Sequence, residues 1–224
     1  MKLARDYRRE AHEKTRSQAG ILAVICLIIL AVTAIINFSV RETQVIEGQE
    51  IEIYKQPLSF LGLFVLGHIE VSFVQISKKV NLEEKVSVKD LLHGFKDYIR
   101  VLAGHFLVGL YTSLWTLLFI IPGLVKTYSY AMTYYILNER DDVKANEAIT
   151  MSRRMMKGNK WRLFCLDLSY IGWMILCALT LGILTLWVNP RIKQARYIFF
   201  KEIYEENGYA VKSEEQLVVE ESRD

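Results

Sequence analysis

Cysteine is scarce in this chain. Three occur in 224 residues, an odd number, and all three (Cys26, Cys165 and Cys177) lie inside apolar segments. That argues against a disulfide framework and fits thiols that behave as small hydrophobes. Proline is equally rare, with three residues. Two of them, Pro122 and Pro190, stand at the ends of apolar blocks. There is no Walker loop, no GxSxG elbow and no GxGxxG, so no cofactor is implied. HEKT at 12–15 is not a zinc HExxH helix, because position 16 is Arg16. His12, His93 and His105 show no metal-ligand spacing, and zinc needs convergent ligands. This poverty of catalytic groups argues against an enzyme. The basic clusters lack the interleaving of a nucleic-acid surface, which removes nucleic acid as a partner.

What the chain does contain is segregated. Hydrophobic residues make up 52% and charged residues 24%, with a mean hydropathy of +0.18. A soluble domain rarely combines these values, and here the charges sit between apolar blocks. Residues 19–38 carry no charge, over about 20 residues, the length a helix needs to cross a hydrocarbon core. This run is longer than the usual signal-peptide core of about 7–15 residues, and no small-x-small cleavage site follows it. It is read as a permanent helix.

The charge pattern orients the chain. Residues 1–18 are basic through Lys2, Arg5, Arg8, Arg9, Lys14 and Arg16, with Leu3, Tyr7 and Ala11 at helical spacing. They could form a helix on the anionic inner leaflet, but the favoured reading is a topology signal. The connection at 39–57 is acidic (Glu42, Glu47, Glu50, Glu52), and the segment after the second apolar block, 58–76, is basic again (Lys78, Lys79, Lys85, Lys89, Lys96). Basic, acidic, basic predicts a cytoplasmic N-terminus, an external first loop and a cytoplasmic second loop. Ser87 and Asp90 predict a helix start, and Val88, Leu91, Leu92 and Phe95 continue it as an amphipathic helix on the inner surface.

A third block, 99–121, ends at Pro122-Gly123, which is read as the structural turn of a helical hairpin whose second limb, 124–137, is short. That places Lys126 near the outer surface, snorkelling to water or binding a lipid phosphate. The stretch 138–162 is strongly basic. Within it a helix is predicted over 143–157, capped by Asp141 and Asp142 and closed by Gly158, with Ala145, Ala148, Ile149, Ser152 and Met156 in one stripe. Arg153, Arg154 and Lys157 crowd its last turn and are candidate lipid-headgroup contacts. The last block, 163–188, is either one long span or a hairpin turning near Thr180-Leu181-Gly182. The hairpin is preferred, because it returns Arg191, Lys193, Arg196 and Lys201 to the inside. Residues 207–224 read as an acidic, disordered tail.

The stretch from Trp115 to Tyr204 carries a resemblance. Its elements are Pro122-Gly123, Tyr128, Tyr130, Ser152, Met156-Lys157-Gly158, Trp161, Asp167-Leu168-Ser169, Gly172-Trp173 and Thr180-Leu181-Gly182. The chain is similar there to a bacterial family of integral membrane proteins known as domain of unknown function 975. Asn189-Pro190-Arg191 departs from that pattern, where the family more often has an aromatic after the proline. The resemblance implies a bacterial cell-membrane location and brings no catalytic residues with it.

The expected fold is therefore all-α: a multi-pass helical membrane protein with about six segments, five being the alternative. A basic N-terminus (1–18) precedes a single membrane domain (19–206) and the tail (207–224). Asp167, a few residues inside an apolar block, is the sharpest candidate for an intramembrane polar site. Its bland reading is a partner for Arg162, Lys160 or helix ends. His68 and Glu70 interrupt the second block, but at i and i+2 they face different ways and make a poor chelating pair. The expected function is non-enzymatic association with the lipid bilayer, anionic lipids included, or with a membrane partner protein. The alternative is a small transporter or channel subunit using Asp167, Glu70 and His68.

Overall fold

The computed structural model describes residues 2–38, 40–46, 49–55, 61–118, 120–180 and 182–209. The acidic tail expected over 207–224 lies outside the described residues from position 210 onward. The chain is overwhelmingly helical. Helices α1 (Ala4–Arg16) and α2 (Ala19–Ile36) come first, separated by a two-residue break. The connection expected to be a loop is instead an antiparallel hairpin. Strand β1 (Val40–Ile46) pairs with β2 (Gln49–Lys55) in a register running from Val40 opposite Lys55 to Ile46 opposite Gln49. Alternation over VRETQVI and QEIEIYK suits a strand better than a helix, a period that the count of acidic residues conceals.

Helix α3 (Leu61–Asn81) leads into a 3₁₀ helix (Val88–Phe95). Ser87 and Asp90 cap the 3₁₀ helix reciprocally: the Ser87 amide donates to Asp90 Oδ2 at 2.8 Å, and the Lys89 amide to Ser87 Oγ at 3.3 Å. This segment does not lie free on a surface. It doubles back along α3, where the Gly94 amide donates to Ser72 Oγ at 2.9 Å and Lys79 pairs with Asp90 at 2.7 Å.

Helices α4 (Tyr98–Leu118) and α5 (Ile120–Tyr130) form the expected hairpin. The turn comes earlier than proline suggested, because Pro122 and Gly123 sit inside the first turn of α5. A proline there loses no helical hydrogen bond. Gly123 is where the limbs touch: a Cβ on it would lie 2.4 Å from Thr116 Oγ1. Helix α6 (Thr133–Glu139) continues after a break at which the Met132 amide donates to Ser152 Oγ.

Helix α7 (Ala145–Met155) buries the whole predicted stripe, Ala145, Ala148, Ile149, Ser152 and Met156. That stripe packs into the protein, so it is not offered to lipid. Asp142 does not cap α7, since its carboxylate takes both ends of the Arg140 guanidinium, at 3.0 and 2.5 Å. Helices α8 (Lys160–Leu168) and α9 (Ile171–Leu179) run nearly continuously into a turn where Gly182 has φ +84°. Of the predicted turn residues, Leu181 lies outside the described set. Helix α10 (Thr185–Glu206) then returns, with Pro190 within it and not at its end.

The main core gathers around α10. Tyr197, Phe199, Phe200 and Ile203 pack with Tyr7 and Ala11 of α1, Tyr135 and Ile136 of α6, Met155 of α7, and Leu163 and Leu166 of α8. A second cluster joins Leu22, Ile25 and Cys26 of α2 to Phe73, Ile76 and Val80 of α3. Two helical stretches, Ala19–Ile36 and Lys160–Leu179, are long and apolar enough to cross a membrane.

Candidate functional site

Helix α10 is strung between its neighbours by charge. It runs antiparallel to α8 and α9, and each contact straddles the turn near Gly182. Arg162 meets Glu202, Asp167 meets Arg196, and the Tyr170 hydroxyl approaches the Arg191 carbonyl at 3.5 Å. Asp167 is gripped by both arms of the Arg196 guanidinium, Nε at 2.9 Å and Nη2 at 2.8 Å. A planar fork on a carboxylate is the strong form of this contact. The Tyr128 hydroxyl donates to the same carboxylate at 3.2 Å. The partner of Asp167 is thus neither Arg162 nor Lys160 but a cation one helix away.

Glu70 pairs with Lys193, three residues before Arg196 on α10. The two candidate carboxylates are therefore held by neighbouring cations of one helix. His68 does not join them. It is fully buried and stacked between Phe95 and Tyr98, with ring centroids 4.9 and 4.4 Å away. Its Nε2 lies 3.0 Å from the Tyr98 carbonyl. A carbonyl only accepts, so Nε2 carries a hydrogen in this contact. Nearby, His105 Nδ1 lies 2.6 Å from the Tyr134 hydroxyl. Among the described residues, no group of three His, Cys, Asp or Glu side chains is placed to hold a metal ion.

A further polar junction, partly buried, joins Tyr7, Arg162 and Glu202, a set that sequence reading did not bring together. The Tyr7 hydroxyl donates to Glu202 at 2.7 Å, and Arg162 bonds Glu202, donates to the Tyr7 oxygen at 3.0 Å and reaches Glu206 at 3.3 Å. Burial pushes the Glu202 carboxyl upward, but the hydrogen bonds from Tyr7 and Arg162 outweigh it and hold the group below its usual range. Burial and the same Glu202 contact push the Tyr7 phenol up. The only signal in the sequence is Tyr7 on the buried stripe of α1, and it does not name a partner.

Two basic clefts lie among the described residues. In the first, of about 320 Å³, Arg153, Arg154 and Lys157 are joined by Lys126, Lys160, Ser129 and Thr150. Five cations line it and no carboxylate does. Lys126 also places its ammonium 4.3 Å from the Trp115 ring centroid. Lys126 thus shares a side with the basic stretch 138–162 and is not at the far surface. Helix α5 is only 11 residues long, about 16 Å, and packs against α7 and α8. The second cleft, of about 460 Å³, is lined by Arg5, Arg8, Arg9, His12, Tyr170, Trp173, Val188 and Arg191. These arrangements can hold an anion by charge, and nothing in them supplies a nucleophile with a base beside it.

Residues 1–129 and 119–207 match the model of the family described as protein of unknown function (DUF975). No curated protein and no solved structure matches the chain. The chain belongs to the DUF975 family.

Proposed function

We propose that this DUF975 protein is a multi-pass protein of the bacterial cell membrane, non-enzymatic, with both termini cytoplasmic, and that it associates with anionic lipid at the cytoplasmic face. A membrane partner protein is the other associate the chain could serve, and the geometry favours lipid. On this reading α2, α3 and α4 cross the bilayer. Helix α5, and the hairpin made by α9 and the first turns of α10, are shorter limbs that return, and the strands β1 and β2 lie outside. Helices α3 and α4 are 21 residues each, enough for a span. Helix α5, with 11 residues, needs local thinning of the bilayer, whereas α9 is the outer part of the 20-residue stretch Lys160–Leu179, which is long enough to reach across with α8.

One observation carries the proposal: Arg153, Arg154, Lys157, Lys160 and Lys126 line a carboxylate-free cleft, and Lys126 directly follows Leu124 and Val125, apolar side chains that the fold leaves uncovered. Leu124 and Val125 on α5 are exposed, and Leu117 on α4 is 86% exposed. Cations bordering an uncovered apolar surface match the headgroup and acyl regions of an anionic leaflet, where each Lys or Arg contributes about 1 kcal/mol.

Lipid retained by the purified protein tests this. Protein extracted in mild detergent is expected to retain phosphatidylglycerol over phosphatidylethanolamine. The combined variant Arg153→Gln, Arg154→Gln, Lys157→Gln is expected to lose that preference by roughly tenfold or more. Unchanged retention contradicts the proposal. Ion or solute flux in proteoliposomes that Asp167→Asn abolishes replaces it with the transporter reading.

A further inference from the structure

The second basic cleft differs from the first in having an apolar wall. Arg5, Arg8, Arg9 and His12 come from one face of α1, Arg191 from α10, and Tyr170, Trp173 and Val188 complete the lining. The spacing 5, 8, 9, 12 places these side chains on one helical face, away from the buried stripe of Tyr7, Ala11 and Thr15. Arg8 is anchored: its Nη1 donates to the Ser169 carbonyl at 2.7 Å, and its guanidinium lies 5.9 Å from the Tyr170 ring centroid. Arg5 and Arg9 are not held in this way. Their side chains are each 77% exposed, and their acidic neighbours Asp6 and Glu13 sit at 3.8 and 4.0 Å, the outer limit of an ion pair. No carboxylate lines the cleft. Its volume of about 460 Å³ falls within the roughly 300–1,000 Å³ of small-molecule sites.

On α9 the exposed residue that shares the Trp173 side of the helix is Leu176, one turn on. An occupant complementary to this surface is anionic at one end and apolar at the other. A free phosphate would leave the Trp173 and Val188 wall unused, and a nucleotide would leave the exposed apolar side chains of α9 uncovered. We infer that this cleft is a binding site for a single anionic phospholipid. Its phosphate is held by Arg5, Arg9 and Arg191, and its acyl chains lie along Trp173 and α9. Arg8 is a positioning residue that pins α1 against Ser169 and Tyr170. The inference rests on the membrane reading above and adds a second, structurally separate site to it. It also gives the N-terminal arginines a task beyond setting orientation.

Trp173 supplies the readout. Full-length protein in which Trp115, Trp161 and Trp187 are Phe is reconstituted in phosphatidylcholine nanodiscs. Phosphatidylglycerol or phosphatidylcholine with brominated acyl chains is then titrated in, and Trp173 quenching is followed. Brominated phosphatidylglycerol is expected to reach half-quenching at a mole fraction roughly fivefold or more below brominated phosphatidylcholine, the effect of about one cation's worth of attraction. The variant Arg5→Gln, Arg9→Gln, Arg191→Gln should abolish the difference. The matching lysine variant, which keeps charge and orientation, should retain most of it. Arg153→Gln, Arg154→Gln, Lys157→Gln, in the other cleft, should leave it unchanged. Equal quenching by the two lipids overturns the site while leaving the membrane reading intact. Loss of the phosphatidylglycerol preference on adding inorganic phosphate overturns the lipid as occupant in favour of a free anion. Absence of quenching by either lipid overturns the membrane reading itself.

Discussion

Glu202 links a single residue to a measurable property of the whole. Hydrogen bonds from Tyr7 and Arg162 hold its carboxyl below the ordinary value of 4.5. A depressed folded-state pKa means that the unfolded chain binds the proton more readily. The stability Glu202 contributes is therefore fully present above about 4.5 and is lost as pH falls through the lower, folded value. The thermal midpoint of detergent-solubilised protein should fall through this window, and Glu202→Gln should remove part of that slope. A variant with an unaltered slope would show that the junction is energetically silent. Asp167 shows how far residue-level reading reaches. An ionisable group inside an apolar block is conspicuous in the sequence because an unpaired charge there costs so much. Its partner Arg196 is not conspicuous, because it lies 29 residues away and many cations compete for the assignment. Only the antiparallel course of α8 and α10 selects it. The grouping of Tyr7 with Arg162 and Glu202 is hidden for the same reason.

Among the elements, local rules succeeded where the signal was local. The reciprocal cap of Ser87 and Asp90, the stripe on α7, and the reversal near Gly182 are all readable from spacing and turn chemistry, and all are present. The hairpin at 40–55 was missed because acidic composition was weighed above alternation. The position of Pro122 misled because a proline after an apolar run suits a helix stop and a helix start alike, and tertiary packing against Thr116 decides. The apolar residues of α1, α7 and the 3₁₀ helix suited a membrane surface by pattern. Periodicity shows that a face is apolar but not what covers it: the stripes of α1 and α7 pack within the protein, whereas Val88, Leu92 and Phe95 of the 3₁₀ helix stay exposed. The 3₁₀ helix yields the sharpest test at this scale. A Cβ on Gly94 would sit 2.1 Å from the His68 carbonyl oxygen and 2.8 Å from Ser72 Oγ. Gly94→Ala must lift this element off α3, at a cost of about 1–3 kcal/mol. A clear drop in the midpoint of thermal unfolding is expected, and an unchanged midpoint would mean that the element is not seated as described.

For the molecule as a whole, the fold divides its surface. Around α10 lies a core rich in aromatic side chains and crossed by ion pairs. Large apolar side chains on α2, α4 and α9 stay uncovered, among them Leu27, Leu110, Leu114, Met174 and Leu179. Exposed apolar surface on this scale marks an interaction surface; under the proposed function lipid covers it and the basic ends face the cytosol. The direct test is labelling by a membrane-impermeant maleimide in a background with Cys26, Cys165 and Cys177 replaced by Ala. The account predicts that Gln44→Cys reacts on intact cells, whereas Lys85→Cys and Asn207→Cys react only after the membrane is opened. Labelling of Lys85→Cys on intact cells, with Gln44→Cys protected, would contradict it.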